Sequence, residues 1–310
     1  MNTIYTKNAS QVRAEWIDRI MYAIIVAVAA IALSMIFLIF IFTFKEAKDV
    51  FFDADTRHEV LPTLFSTTWQ PVSDNPKYGI IPLIIGTLKT TLIAMVIAVP
   101  IGVLAALYTS CFAPAWLREL IKPAAELLAG FPSVVIGFFA LFVLADALQA
   151  LTQAEVRLNA LVGGVAISLT AIPIIFTISE DALSAVPKSI QEASYGLGAT
   201  RWETAFYITL PAAYPGIFAA SLLGFGRAIG ETLIVLMATG NAPISSWTLT
   251  DSVRTLTAAI GAEMAEVVFG DPHYSVLFLI STVLFFSALI LNSIAEFYIK
   301  EWLMKKFSGE

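Results

Sequence analysis

Arg227 and Glu231 are the residues whose type and spacing point most directly to chemistry, because the stretch around them, about Gly216 to Gly240, is otherwise apolar. An arginine at the centre of a membrane-crossing helix costs about 2.5–3.5 kcal/mol on insertion scales, so something must offset it. Four positions apart on a helix, the two side chains share a face and can pair. One reading is an ion pair that locks this helix into a bundle. The other is an anion site. Arg227 would offer its planar fork of donors to a passing oxyanion, while Glu231 holds the guanidinium and loosens its grip. A path must bind its ion well enough to admit it and weakly enough to release it. Ala220 and Gly224 continue the same face with little bulk, which predicts a narrow open stripe. Gly226 and Gly230 form a G-x-x-x-G that lets another helix approach closely. A single arginine is thin for an anion of charge −1 to −2, so a second cation is expected from a partner chain.

Other chemistries find little support. His58 and His273 are far apart and match no metal-ligand spacing, so no metal is expected. Cys111 is the only cysteine, which rules out an intrachain disulfide. No phosphate-cradling G-x-x-x-x-G-K-[ST] is present, so any ATP must be held by another chain. No cofactor is expected. No serine–histidine or paired-aspartate arrangement within the apolar stretches suggests an enzyme. The formal charge of −6 gives no basic footprint for nucleic acid.

The elements that position these residues follow from the apolar content. Of the 310 residues, 58% are apolar and 14% charged, and the mean hydropathy is +0.81. Soluble domains run nearer 45–50% and about 25%, so the excess needs a lipid-exposed surface. A spanning helix takes about 20 mostly apolar residues, and six such segments can be drawn. The first, Met21–Phe44, is too long and bulky to be a cleaved signal. The second, Ile80–Phe112, contains Lys89 and Pro100, and the third, Ile121–Leu151, is broken near Gly130-Phe131-Pro132. The fourth is Ala160–Ser179 with Pro173 inside, the fifth Gly216–Gly240 and the sixth Ser275–Ile299. Glycine and proline within spans are tolerated where neighbours re-satisfy the backbone. Spans two to five therefore form an interior bundle and the first is peripheral. The expected class is an all-α integral membrane protein.

Orientation is read from Lys and Arg near the span ends. Both termini in the cytoplasm puts residues 7, 13, 19, 118, 122, 188, 201, 300, 305 and 306 inside. Residues 45, 48, 57, 77, 157 and 254 then lie outside, with Lys45 and Lys48 speaking against the choice. Loops of roughly 45–78 and 241–274 would face outward. Lys89 either snorkels, the preferred reading, or adds positive charge to the path.

Between the fourth and fifth spans the pattern changes. Pro187 opens a helix that Gly198 ends in a left-handed cap. Thr200 and Glu203 form a capping box for a second helix, which Pro211 stops. Trp202, Ala205, Phe206 and Thr209 give that helix one apolar face. It is too short to span and too apolar on one side for water, so it lies on the membrane or enters a partner's groove.

Glu192, Ala193, Ser194, then Gly198, Ile208, Leu210 and Pro211 resemble the EAA loop of type I ABC importer permeases, E-A-A-x3-G-x9-I-x-L-P, departing only at Ser194. That resemblance implies a MetI-like core of six transmembrane helices, with this loop as the coupling helix that docks on an ATPase. Residues 126–135 (ELLAGFPSVV) and 226–232 (GRAIGET) are similar to signatures of phosphate importer membrane subunits. Residues 251–260 (DSVRTLTAAI), Glu263-Met264 and His273-Tyr274-Ser275 are similar to their C-type subunit, PstC. The family likeness implies that residues matching Arg227 and Glu231 lie on the phosphate path. Glu126 is expected to cap or pair locally, and Arg254 and Glu263 to organise an outer loop, with docking of a binding protein there as one use. The implied partners are a second, PstA-like permease, a dimer of PstB-like ATP-binding subunits, an extracytoplasmic PstS-like phosphate-binding protein and membrane lipid. The layout expected is 1–79 for the first span and outward loop, 80–303 for the permease core with its EAA loop at 187–215, and 304–310 for a cytoplasmic tail in the bacterial inner membrane. A sulfate or molybdate permease is the nearest alternative, and a stand-alone secondary transporter a more distant one.

Overall fold

A computed structural model describes residues 9–297. Lys7, Lys300, Lys305, Lys306 and the tail expected at 304–310 lie outside the described residues.

The described residues are mostly helical. Helix α1 (Ala9–Ala47) is followed by the short α2 (Asp49–Phe52) and α3 (Ala54–Val60), then a two-stranded hairpin of β1 (Trp69–Gln70) and β2 (Lys77–Tyr78). The hairpin is antiparallel, with Trp69 opposite Tyr78. Next come α4 (Ile81–Cys111), α5 (Ala115–Ala129), α6 (Ser133–Phe139) and α7 (Ala145–Thr152), then α8 (Ala160–Ser184). Helices α9 (Lys188–Gly196), α10 (Arg201–Thr204) and α11 (Leu210–Ala212) lead to α12 (Tyr214–Ile229), α13 (Leu233–Ala238), α14 (Leu256–Glu263) and α15 (Pro272–Phe297). Among the described residues, five helices are long and apolar enough to cross a membrane, six if the pair Arg201–Ala212 and Tyr214–Ile229, bent by 68°, counts as one span.

At the centre stands α8, packed along α4 and α12. Small residues allow the close approach that holds membrane helices together where lipid tails compete for apolar contact. A side chain at Gly102 would meet Ile175 Cγ2 at 2.9 Å, and one at Gly224 would meet Ile175 Cγ1 at 2.6 Å. Ala98, Ala171, Ile175 and Ala220 are fully buried in this seam. Peripheral placement of the first span holds, since the spanning window of α1 is not buried at all and that of α8 is 61% buried. Helix α1 leans on α15 through Phe40, whose ring lies 5.1 Å from Phe285 and 5.4 Å from Phe286.

The third span differs from its expectation. It runs from Ser133 to Thr152 through a π-helical turn at Ala140–Leu144. The break at Gly130-Phe131-Pro132 is its boundary, not an interruption, and Ile121 belongs to the separate helix α5. None of the residues of α5 is fully buried. Charged side chains tie it down. Arg118 donates to the carbonyls of Thr109 (3.1 Å) and Ser110 (2.6 Å) at the end of α4, a favourable place for a cation. Lys122 Nζ donates to Asp181 at 2.8 Å and Glu180 at 2.9 Å. Those two carboxylates, Asp181 first, hold the Lys122 ammonium above its usual range. Glu126 is exposed and makes no ion pair among the described residues, so the local pairing expected for it is not found there.

Candidate functional site

The stretch carrying Arg227 and Glu231 is broken. Helix α12 ends at Ile229 and α13 begins at Leu233, with Gly230, Glu231 and Thr232 between them. Gly226 and Gly230 contribute no helix-stabilising side chain, and glycine costs about 1 kcal/mol relative to alanine in a helix interior. Glu231 compensates for the lost helical bonds. Its Oε1 accepts from the Thr232 N–H at 3.2 Å and the Ile234 N–H at 3.4 Å, satisfying donors at the start of α13. Its backbone carbonyl accepts from Thr257 Oγ1 at 2.7 Å.

The two side chains thus meet across a helix end, not along one helical face as expected. Glu231 Oε2 lies 3.6 Å from Arg227 Nη2, an ion-pair distance beyond hydrogen-bond range. The halves of the pair are unequal: the Glu231 side chain is 4% exposed and that of Arg227 is 44% exposed. Arginine carries five N–H donors, and the Arg227 guanidinium makes no hydrogen bond among the described residues. Glu231 is the fixed half. Arg227 holds a charge nearby with its donors unspent.

The open face also lies elsewhere than expected. Ala220 and Gly224 are covered by Ile175 of α8, so no open stripe runs along them. A side chain at Gly226, by contrast, would meet nothing within 4 Å, and Phe138 and Phe142 of the third span are exposed and stacked with centroids 6.0 Å apart. Replacing Gly224 by Val would drive a branched side chain into Ile175. Overpacking of this kind costs about 1–3 kcal/mol or more. Gly224→Val is therefore expected to lower the yield and melting temperature of the detergent-purified chain, while Gly226→Ala leaves both unchanged.

Lys89 neither snorkels nor lines an opening. It is 2% exposed, and its Nζ donates to the carbonyls of Ser246 (2.8 Å) and Thr248 (2.7 Å). Those carbonyls belong to the segment between α13 and α14, which also accepts from Leu161 N–H through Leu249 O at 2.9 Å. Lys89 thereby pins this loop to α4. A hydrogen bond to a charged group contributes about 1.5–3 kcal/mol. Lys89→Met is expected to raise hydrogen exchange or protease cleavage over residues 241–250 while the helices stay protected.

At the same end of the bundle, Glu263 gathers three donors. Arg254 reaches it through Nη1, Trp69 Nε1 donates to Oε1 at 3.1 Å, and His273 Nε2 lies 2.9 Å from Oε2. Arg254 Nε also donates to the carbonyl of Asn241 at 3.0 Å. Arg254 and Glu263 therefore do organise the loop, and they tie it to the β-hairpin and the start of α15. Sequence reasoning missed Trp69 and His273 as members. Trp69 lies 194 positions from Glu263 and His273 ten, and neither separation is a local spacing that signals the contact.

The opposite end carries the segment between α8 and α12. Helix α9 closes in a Schellman motif: Gly198 has φ +91°, its N–H bonds to Tyr195 O at 2.9 Å, and the Ala199 N–H bonds to Ser194 O at 3.2 Å. Thr200 and Glu203 form the full capping box. Hydrogen bonds from the Thr200 N–H and hydroxyl hold the exposed Glu203 carboxylate below its usual range. A depressed carboxylate stabilises above its unfolded value and loses that contribution as pH falls through its folded one, so the cap is intact at neutral pH. Helix α10 passes through a π-helical turn at Ala205–Thr209 into α11, so Pro211 does not stop the helix; the bend follows Ala212. Glu192, Ala193 and Gly198 are exposed, whereas Ile208, Leu210 and Pro211 are partly buried. Leu210 packs with Ala205, Ala213 and Ile217 beneath the segment. Ser194, the departure from the motif, is buried, and its hydroxyl lies 2.9 Å from that of Thr204. Of the apolar face expected on the second helix, Ala205 and Thr209 are buried, while Trp202 is exposed and stacks on Phe206 at 4.3 Å.

Residues 98–300, from within α4 through α15, match the family described as the binding-protein-dependent transport system inner membrane component. The chain belongs to this family. It is an ABC importer permease subunit, a non-catalytic component of an inner-membrane transport system. Among its relatives, a probable ABC transporter permease protein, YqgH, of Bacillus subtilis (strain 168) is 37% identical over 71% of this chain and 72% of its own. The phosphate transport system permease protein PstC of Mesorhizobium japonicum is 34% identical over 76% of each. The permease fold recurs in a bacterial alginate ABC transporter, with TM-score 0.63 and 17% identity over 93% of this chain and 96% of that one. An inward-facing MetNI methionine ABC transporter matches with TM-score 0.52 and 18% identity over 72% of this chain and 93% of that one. At such identities these two structures speak to the fold alone.

Proposed function

We propose that this permease forms half of the path of an ATP-driven importer of inorganic phosphate, with Arg227 as the residue that engages the anion. The observation that carries the proposal is the half-exposed Arg227 guanidinium, its donors unspent, 3.6 Å from a buried carboxylate. A hydrogen-bonded bidentate pair would hold the arginine closed. A looser contact leaves it charged, positioned and able to exchange Glu231 for an incoming oxyanion. Glu231 loses little in that exchange, because Thr232 and Ile234 N–H groups still satisfy it. The relatives named as phosphate permeases support phosphate as that anion.

The rest of the reading follows from the layout. Residues 80–303 form the core, with 1–79 as a peripheral addition and 304–310 as a tail. Both termini lie in the cytoplasm, which places α9 inside and the Trp69–Glu263 cluster outside. Helix α9, exposed at Glu192 and Ala193 and followed by the exposed Gly198, docks on one copy of a PstB-like ATPase dimer. The partly buried Ile208, Leu210 and Pro211 root it in the bundle. ATPase closure pushes on α9 and, through the bend after Ala212, on α12 and Arg227. A PstA-like permease covers the Gly226 face and contributes the second cation that an anion of charge −1 to −2 requires. A PstS-like protein delivers phosphate at the loop-rich end.

The test is flux. The chain reconstituted in vesicles with its permease partner, ATPase and binding protein is expected to take up labelled phosphate only with ATP, and a hundredfold excess of sulfate or molybdate is expected not to compete. Competition by either oxyanion would reassign the substrate. Uptake without ATPase would point to a stand-alone transporter.

A further inference from the structure

Between the Arg227 site and the loop-rich end lies α14. It touches the broken span at two places along its length. The Thr257 hydroxyl donates to the Glu231 carbonyl at 2.7 Å, and Gly261 leaves room for Thr232, whose Cγ2 would lie 2.8 Å from a side chain there. The start of the helix is fixed by the Thr255 hydroxyl, which accepts from Ala258 N–H at 3.1 Å, and by Thr87 of α4, which accepts from Leu256 N–H at 2.9 Å. Its outer end is Glu263, where Trp69, Arg254 and His273 converge. Thr257 and Glu263 are separated by about 9 Å along the axis at 1.5 Å per residue. Cavities of about 540 and 610 Å³ open beside this outer cluster, the first lined by Tyr78, Asp271 and His273, the second by Trp69, Arg254 and Glu263.

We infer that α14 reports docking of the extracytoplasmic binding protein at the Trp69–Glu263–His273 cluster to the Arg227–Glu231 site, with Thr257 as the positioning residue at the inner contact. The inference rests on the proposed reading of the loop-rich end as outward and of Arg227 as the anion site. Glu263 is the common acceptor for the hairpin, the segment before α14 and the start of α15, so a load on any of the three reaches α14. With Leu256, Thr257, Ala258 and Ala259 buried, the helix is close-packed, and close-packed elements transmit displacement more than they absorb it. The displacement arrives at the carbonyl of the residue whose carboxylate faces Arg227. A contact of 3.6 Å between charges is soft, so a shift of a few tenths of an ångström there rebalances Arg227 between Glu231 and an arriving anion. Coupling of this kind is reciprocal in binding free energy, and position between two sites does not establish it; a variant that splits docking from activation does.

The experiment uses the whole complex in vesicles, titrated with phosphate-loaded binding protein while ATP hydrolysis is read. Thr257→Val keeps the side-chain shape and removes the donor. The expected result is a half-saturating concentration within about twofold of wild type, a maximal stimulated rate at least fivefold lower and an unchanged unstimulated rate, with Thr257→Ser restoring stimulation. If Thr257→Val assembles poorly, Gly261→Ala, which pushes α14 off Thr232, is read in the same way with the same expected split. Full stimulation in the assembled variant, or a fall in the unstimulated rate in equal proportion, overturns the inference. A wild-type complex that phosphate-loaded binding protein does not stimulate overturns the phosphate reading itself, and this inference with it.

Discussion

Arg227→Gln is expected to abolish uptake while leaving the complex assembled. The glutamine keeps much of the length and some hydrogen-bonding capacity but none of the charge, so the passing anion loses its charge-assisted partner. Removing one member of a close charged contact costs about 2–5 kcal/mol, and each 1.36 kcal/mol on a barrier is tenfold in rate. A fall in labelled-phosphate uptake of about a hundredfold or more is expected. Assembly is spared because Arg227 is half-exposed and makes no hydrogen bond among the described residues, while Glu231 keeps its backbone donors. Co-purification of the permease pair with its ATPase checks that half, and uptake in vesicles checks the other. Arg227→Lys is informative beside it. A point charge without the planar fork is expected to recover part of the rate, since lysine supports anion binding without bidentate geometry.

Gly198→Val is expected to uncouple ATP hydrolysis from transport. A Cβ added here would meet nothing within 4 Å, so the penalty is not a packing clash at that atom. It comes from the backbone: φ is +91°, where a residue with a side chain is strained by roughly 1–2 kcal/mol or more and a branched one fares worst. Relief of that strain opens the Schellman turn and releases the Ala199 and Gly198 hydrogen bonds, so that α9 no longer leaves the bundle at a fixed angle to the capping box at Thr200. Since 1.4 kcal/mol is a factor of ten in an equilibrium, stimulation of hydrolysis by loaded binding protein is expected to fall about tenfold, with unstimulated hydrolysis retained. Gly198→Asn, which tolerates the left-handed region, is expected to keep most of the coupling. A Gly198→Val complex that responds normally would remove α9 from the coupling role.

Local signals were legible in the sequence wherever the structure is local. Gly198 and the Thr200–Glu203 box need only neighbouring backbone, and both appear as their spacing predicts. The long spans α4, α8 and α15 follow from uninterrupted apolar length. The expected third span starts too early because α5 carries Ile121, Leu127 and Leu128 beside its charges, so averaged hydropathy runs on into it. Its charges are neutralised by Glu180, Asp181 and the end of α4, which no window along the chain can see.

The Arg227–Glu231 pair was recognised, but its geometry was not. A continuous helix was expected where glycines and a capping carboxylate make a break. Lys89 is the clearest limit. Its carbonyl partners lie 157 and 159 positions away, and a buried lysine gives no sign in sequence of which loop it will hold. The same holds for α14, too short to stand out within an outward loop, although it lies against the break at Glu231.

The central claim is that an anion on its way through the membrane sits against the Arg227 guanidinium. Solid-state magnetic resonance on the reconstituted complex, with 15N in the arginine side chains and 31P in the bound phosphate, measures that contact as a dipolar coupling. The account predicts a coupling corresponding to about 4 Å, the separation of hydrogen-bonded guanidinium and phosphate, that is absent from the Arg227→Gln complex. A coupling that persists in that variant, or none in the wild type under conditions of active uptake, would contradict it.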